Sequence, residues 1–194
     1  GFVVVSGLAR GIDGAAHLGA LEGAEKGSLA TIAVVGTGLD RVYPRQHREL
    51  AHRIAGHGLL VSEYPLGTPP IASNFPKRNR IIAGLGLGTL VVEAAMQSGS
   101  LITARLAAEQ GREVFAIPGS IHASQAKGCH ALIKQGAKLV ESAQDVLEEL
   151  RLPVVTELSR PPAGPSTEPP VRDDPMLDAM GHDPVSLDTL QART

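Results

Sequence analysis

The clearest indication of the fold is the segment Phe2-Val3-Val4-Val5-Ser6-Gly7-Leu8-Ala9-Arg10-Gly11-Ile12-Asp13. Its first five residues form an apolar, β-branched run that ends at a glycine, which is typical of a buried strand. A segment rich in Ala and Leu, from Ile12 to about Glu25, has helical character. The two glycines therefore lie where a strand is followed by a helix, as in the repeating unit of an α/β protein.

The same alternation of short apolar runs and helical segments continues to residue 150. The apolar runs do not alternate with polar residues, which is typical of parallel strands covered on both faces. The sequence therefore predicts an α/β fold, an extended Rossmann-like, doubly wound and mainly parallel sheet with helices on both faces. The predicted strands are 2–6, 30–35, 59–62, 89–92 and 114–117, and the predicted helices are 12–25, 45–57, 79–85, 101–110, 131–135 and 142–150, with a proline-rich loop over 63–76.

The composition changes after residue 150, which defines the predicted domains. Residues 151–174 are rich in Pro, with Ser, Thr and Glu between, so we predict an extended or flexible linker there. An apolar pattern returns over 175–194, which is too short to bury a core by itself and is interpreted as the start of a second domain. Residues 1–150 form the first domain, and because its first strand starts at the first residue we expect further sequence upstream.

Composition narrows the classes of function. The 194-residue chain is 43% hydrophobic, which suffices for a sizeable core, and its apolar runs are far too short to span a bilayer, so no membrane partner is predicted. Its single cysteine cannot form an intrachain disulfide, which favours a cytoplasmic location. The net charge of −2 does not indicate a nucleic-acid binder, but residues 41–80 carry seven basic and two acidic side chains, a local field that attracts anions.

Three segments carry the candidate binding site. In the first turn, free N–H groups at the helix start and the guanidinium of Arg10 suit a phosphate. In the second segment, Lys77, Arg78 and Arg80 follow an aromatic residue, a pattern typical of a phosphate-contacting edge beside a stacking ring. The third segment, residues 98–100, opens a predicted helix with two serines around a glycine and predicts an anion nest.

Each of these features also has a structural interpretation. Asp13 is favoured as a cap for the first turn, and the basic residues of the second segment are alternatively a solvated cluster. Glu93 follows a predicted strand and is a candidate base, although pairing with Arg80 or capping a loop is preferred. No metal site, cofactor or catalytic residue is predicted, because the histidines lack metal-binding spacing and the chain lacks a P-loop motif.

The ordered set of motifs resembles the DprA/Smf family of bacterial DNA-processing proteins. The likeness covers about residues 1–150 and rests on Ser6–Asp13, Gly36–Asp40 with Tyr43-Pro44, Phe75–Gly84, Ser98–Ala104 and Pro118-Gly119. Residues 177–190 resemble the first helix and turn of the winged-helix-like domain found in that family. The resemblance also implies that a first Rossmann strand precedes Gly1.

The resemblance implies a non-enzymatic, dimeric protein that binds single-stranded DNA and loads the RecA recombinase onto it during natural transformation. The DNA-binding residues that it implies are Arg10, Gly11, Phe75, Lys77, Arg78, Asn79, Arg80, Ser98, Gly99, Ser100 and Thr103. The alternative is a Rossmann-type, phosphoribohydrolase-like enzyme acting on nucleotides, with Glu93 as its acid or base. Pro118-Gly119 is followed by Ser120, unlike the glycine-rich phosphate loop of such enzymes.

Overall fold

The computed structural model describes residues 2–150 of the protein. The predicted linker at 151–174 and the predicted second domain at 175–194 lie outside the described residues. Among residues 2–150, none of the helices has the length and apolar character that a bilayer-spanning segment requires.

The first half of the described chain builds a parallel sheet of three strands in the order β1-β2-β3. Its elements are β1 (Val4–Ser6), α1 (Ile12–Gly23), β2 (Thr31–Val34), a 3₁₀ turn (Arg45–His47), α2 (Arg48–His57) and β3 (Leu59–Val61). Ala33 in the central strand packs with Leu8, Leu50 and Ile54 in one buried cluster. The helices thus cover a sheet whose core is aliphatic, as the sequence predicts.

The second half builds another parallel sheet of three strands, in the order β4-β5-β6. Its elements are α3 (Asn74–Leu85), β4 (Gly88–Val91), α4 (Gly99–Glu109), β5 (Glu113–Ala116), a 3₁₀ turn (Ser124–Ala126), α5 (Lys127–Lys134), β6 (Lys138–Leu139) and α6 (Ala143–Glu149). Val91, Ala104, Ala116 and Cys129 form its buried cluster. Cys129 is a buried free thiol.

The predicted fold class is confirmed, with parallel strands, connecting helices and aliphatic cores. The sheet itself differs from the prediction, because residues 2–150 form two three-stranded sheets rather than one continuous sheet. β1 and β4 are both edge strands; Val3, just before β1, is 40% exposed, and Leu90, within β4, is 44% exposed. The two-residue strand β6 was too short to produce a pattern in the sequence.

The start of α3 also differs from the prediction, and this difference matters for the site. The sequence predicts a loop as far as Pro76 and a helix from Asn79, whereas the helix begins at Asn74. Pro76 lies in the first turn, where a backbone N–H has no partner within the helix, so proline is tolerated there. Consequently Phe75 lies on the helix rather than in the predicted loop, and Lys77, which precedes the predicted helix, also lies on α3.

Candidate nucleic-acid interface

The beginning of α3 is anchored on the carboxyl ends of β1 and β2. The buried amide of Asn74 donates a hydrogen bond of 3.1 Å from Nδ2 to the carbonyl oxygen of Gly36. The guanidinium of Arg78 donates from Nη1 to the carbonyl oxygens of Gly7, at 2.7 Å, and of Val34. These bonds fix α3 over the strand ends where doubly wound folds bind their ligands.

The predicted phosphate contact of Arg78 is therefore corrected. Arg78 is only 5% exposed, and backbone carbonyls occupy its guanidinium. Burial lowers the pKa of Arg78, and the nearby carboxylate of Asp13 opposes this shift. Asn79 accepts a 2.9 Å hydrogen bond from Nε of Arg78 at its Oδ1, so its side-chain oxygen supports the buried arginine. Gly7 is required here, because a Cβ at this position would lie 2.1 Å from Nη2 of Arg78.

An aromatic pair joins the start of α3 to a loop of the first sheet. Phe75 packs against Tyr43, with ring centroids 5.4 Å apart and an angle of 34° between the planes. Phe75 is half-buried and lies close to Gly36, where a Cβ would be 3.0 Å from its Cδ1. Tyr43 is 48% exposed. Tyr43 is not among the predicted site residues, although Tyr43-Pro44 belongs to the motifs that carry the family resemblance and directly precedes a basic segment.

Two exposed cations follow Phe75 on the same helix. Lys77 is exposed and has no carboxylate partner among residues 2–150. Arg80 pairs with Glu63, and the two side chains are 57% and 41% exposed. The predicted pairing of Arg80 with Glu93 is therefore wrong. Because an exposed ion pair contributes at most about 1 kcal/mol, a phosphate can replace Glu63 as the partner of Arg80.

The loop between β1 and α1 holds Arg10 at the surface. Asp13 accepts hydrogen bonds at Oδ2 from the backbone N–H groups of Gly7, at 3.1 Å, and Ala9, at 3.0 Å. The carboxylate therefore binds N–H groups of the loop before α1, and not the free N–H groups at the start of the helix. Arg10 and Gly11 are exposed, and Gly11, with φ +82°, provides no side-chain cap for α1.

The starts of α1 and α4 border one cavity of about 680 Å³. Gly11 lies on one wall, and Glu93 and Ser98 lie on another. Ser98 caps α4 by accepting a hydrogen bond at Oγ from the N–H of Ser100. The structure thus brings Gly11 and Ser98 together, with Gly99, Ser100 and Thr103 continuing along α4, whereas Phe75, Lys77 and Arg80 do not line this cavity.

A buried series of hydrogen bonds joins α1 to the strands β1 and β2. Nδ1 of His17 is 2.7 Å from Oγ1 of Thr31, which itself donates to the carbonyl oxygen of Val4 at 2.6 Å. The hydroxyl hydrogen is thereby used, so Nδ1 of His17 carries the donated proton, while its Nε2 is buried without a partner in the described part of the chain. Desolvation lowers the pKa of His17 to about 4, with smaller effects from Asp13, which raises it, and from His47 and Arg78, which lower it.

Residues 1–151 match the family model described as DNA recombination-mediator protein A. The chain belongs to this family. It is 55% identical over 152 residues to Protein Smf of Escherichia coli, covering 78% of this chain and 40% of that one. It is 56% identical over 147 residues to DNA processing protein DprA of Streptococcus pneumoniae, covering 76% and 51%. The resemblance to the DprA/Smf family is confirmed, and the chain spans about half or less of the length of these relatives.

Two solved DprA structures share the fold. The X-ray structure of DprA from Streptococcus pneumoniae matches with a TM-score of 0.72 and 54% identity, covering 78% of this chain and 52% of that one. The second is the structure of DNA processing protein A from Helicobacter pylori, which was solved to explain how that protein binds single-stranded DNA. It matches with a TM-score of 0.65 and 30% identity, covering 76% of this chain and 65% of that one. Both matches support the parallel α/β architecture of the DprA/Smf chain described above.

Proposed function

We propose that this member of the DprA/Smf family binds single-stranded DNA on the exposed surface of α3 that carries Lys77 and Arg80, called here the α3 face, with Phe75 at the side of the same helix. The main support for this proposal is the way in which the first two turns of α3 divide their side chains between the surface and the interior. Two exposed cations lie on the outside of the helix and Phe75 is half-buried at its side, next to the exposed ring of Tyr43, while Asn74 and Arg78 fix the helix from within.

This arrangement suits a single strand for physical reasons. Cations meet the phosphates, and an aromatic ring stacks on a base, which a single strand exposes and a duplex does not. Stacking accepts every base, so we expect little sequence preference. The ssDNA binding mode named for the Helicobacter pylori relative supports this assignment.

We extend the proposed contacts to the two neighbouring loops. Arg10 would meet a phosphate from the β1–α1 loop beside Gly11. Ser98, Gly99, Ser100 and Thr103 would supply hydroxyl and backbone N–H groups at the start of α4. Asn79 would act indirectly, by holding Arg78. Glu93 would repel a phosphate inside the cavity, so the strand passes its rim rather than its interior.

The proposed cellular role follows from the family. We propose that the DNA-bound protein acts in the cytoplasm as a homodimer and loads RecA onto the strand, without enzymatic turnover of its own. Faster RecA assembly on oligo-dT, followed through the DNA-dependent ATP hydrolysis of RecA, would test this role. We expect Lys77→Ala to slow that assembly in proportion to its loss of DNA affinity.

One observation favours a second candidate function. Glu93 and Ser98 share the cavity described above, as a nucleotide-processing enzyme similar to phosphoribohydrolases would require. No basic side chain is among the residues that line this cavity, so a nucleotide phosphate would lack a cation. Release of free base from nucleoside monophosphates, abolished by Glu93→Gln, would establish the enzyme, whereas DNA binding that is unchanged by Glu93→Gln fits the first proposal.

The direct test of DNA binding is fluorescence anisotropy of a labelled oligo-dT with the full 194-residue chain. We expect Lys77→Ala to weaken binding several-fold and to reduce the slope of log K against log salt by about 0.7, the value for one phosphate contact on a single strand. Lys134→Ala is the matched control, because it removes the same exposed charge from α5. Equal effects of the two substitutions, or binding that is independent of salt, would refute the α3 face as the site.

A further inference from the structure

Tyr43 exposes more aromatic surface than its partner Phe75. The chain has three Phe, two Tyr and no Trp, so each ring contributes a large share of its aromatic surface. Phe115 is buried in the second sheet at 1% exposure, and Phe75 is half-buried behind Tyr43. Tyr43 remains 48% exposed although one side of its ring contacts Phe75.

The loop that leads to Tyr43 is fixed by hydrogen bonds just before this residue. Oγ1 of Thr37 donates a 3.0 Å hydrogen bond to the carbonyl oxygen of Arg41, and Oδ1 of Asp40 accepts a 2.7 Å hydrogen bond from the N–H of Gly67. Gly38 leaves no room for a side chain, because a Cβ there would lie 2.6 Å from Oδ1 of Asp40. The ring is therefore placed before any ligand arrives, which reduces the entropy lost on binding.

The charge around Tyr43 is suited to a polyanion. Arg41 and Arg45, two residues away on either side in the chain, are both exposed. Arg41 has only a long contact of 3.8 Å with Asp40. A half-exposed ring with an exposed arginine two residues away on each side in the chain has the composition of a subsite for one nucleotide, with the base on the ring and the phosphate near an arginine.

We propose that Tyr43 is the ring on which an unpaired base of the bound strand stacks, and that Phe75 supports Tyr43 from behind. The proposal rests on the proposed function, since it places one nucleotide of the strand next to the α3 face. It assigns to Tyr43 a direct contact with the ligand, and it extends the DNA path from α3 toward Arg41 and Arg45.

The test compares Tyr43→Leu with the parent chain on two labelled probes, an oligo-dT and an abasic oligomer of the same length. We expect Tyr43→Leu to weaken oligo-dT binding roughly tenfold and to leave binding of the abasic oligomer unchanged, because only the first probe has bases to stack. Tyr43→Phe retains a ring and should bind oligo-dT like the parent. An equal loss on both probes, or no loss on either, would overturn the proposal.

A second measurement avoids any effect of the Tyr43 substitution on folding. Because the chain lacks Trp, Tyr64→Phe leaves Tyr43 as its only long-wavelength emitter. We expect oligo-dT to quench this emission and the abasic oligomer to leave it unchanged. Salt-dependent binding that Lys77→Ala weakens, without any quenching, would overturn the stacking role alone. If oligo-dT does not bind at all, both the proposed function and the role of Tyr43 are refuted.

Discussion

Lowering the pH from about 7.5 to about 5 should destabilise the folded protein through His17. This side chain is fully buried, and its pKa is lowered to about 4 from the ordinary 6.5. As the pH falls below the ordinary value, the unfolded chain binds a proton at His17 before the folded chain does. The contribution of His17 to the free energy of unfolding is therefore fully present above about pH 6.5 and decreases as the pH falls toward 4.

The size of this effect follows from the difference in pKa between the two states. At pH 5, His17 is protonated in nearly all unfolded molecules and in few folded ones, which corresponds to a loss of about 2 kcal/mol. Below pH 4 the loss levels off at about 3 kcal/mol. For a domain of this size a loss of 2 kcal/mol lowers the Tm by about 4–8 °C.

The assay is urea denaturation of the parent and of His17→Asn at a series of pH values. The introduced amide still donates toward Thr31 but does not titrate, so the variant should lose a constant amount of stability and about 2 kcal/mol of the pH dependence between pH 7.5 and 5. His52→Asn, at an exposed position of α2, is the matched control and should keep the pH dependence of the parent. The same pH dependence in His17→Asn and in the parent would show that burial of His17 does not cause the loss of stability at low pH.

Two further predictions concern the surroundings of α3. Gly7→Ala should cost about 2 kcal/mol or more in urea denaturation, since its Cβ would displace the buried guanidinium of Arg78, whereas Gly19→Ala, with nothing within 4 Å of its Cβ, should be neutral or slightly stabilising. Equal stability of the two variants would contradict the buried role of Arg78. Glu63→Gln should strengthen oligo-dT binding about two- to fivefold in anisotropy titrations, because it frees Arg80 for a phosphate, and an unchanged affinity would show that Arg80 makes no such contact.

The order of strands and helices was predictable from the sequence because each element carries a local pattern. The start of α3 was not, since Pro76 is read as a loop residue although the first helical turn tolerates it. The division into two sheets was also missed, because hydrogen bonding between strands depends on tertiary placement that an apolar run does not reveal.

The sequence was sufficient to predict which segments carry the candidate site, but not which of their side chains are exposed and which are buried. Arg78 bonds to carbonyls that lie 71 and 44 residues earlier in the chain, so its burial is decided by contacts that no local pattern reports. The same holds for the contact between Tyr43 and Phe75, which joins a loop and a helix from separate parts of the chain in one surface. Lys77 and Arg80 lie at the surface, as a phosphate-contacting edge requires.

The division of α3 into inner and outer residues has a consequence for how this protein can vary. Asn74 and Arg78 hold the helix on the strand ends by hydrogen bonds, and substitutions at Lys77 and Arg80 leave these bonds in place. Ligand preference can therefore change by surface substitutions that leave folding stability nearly untouched. A library that randomises the two outer positions would explore different affinities for polyanions on one fixed scaffold.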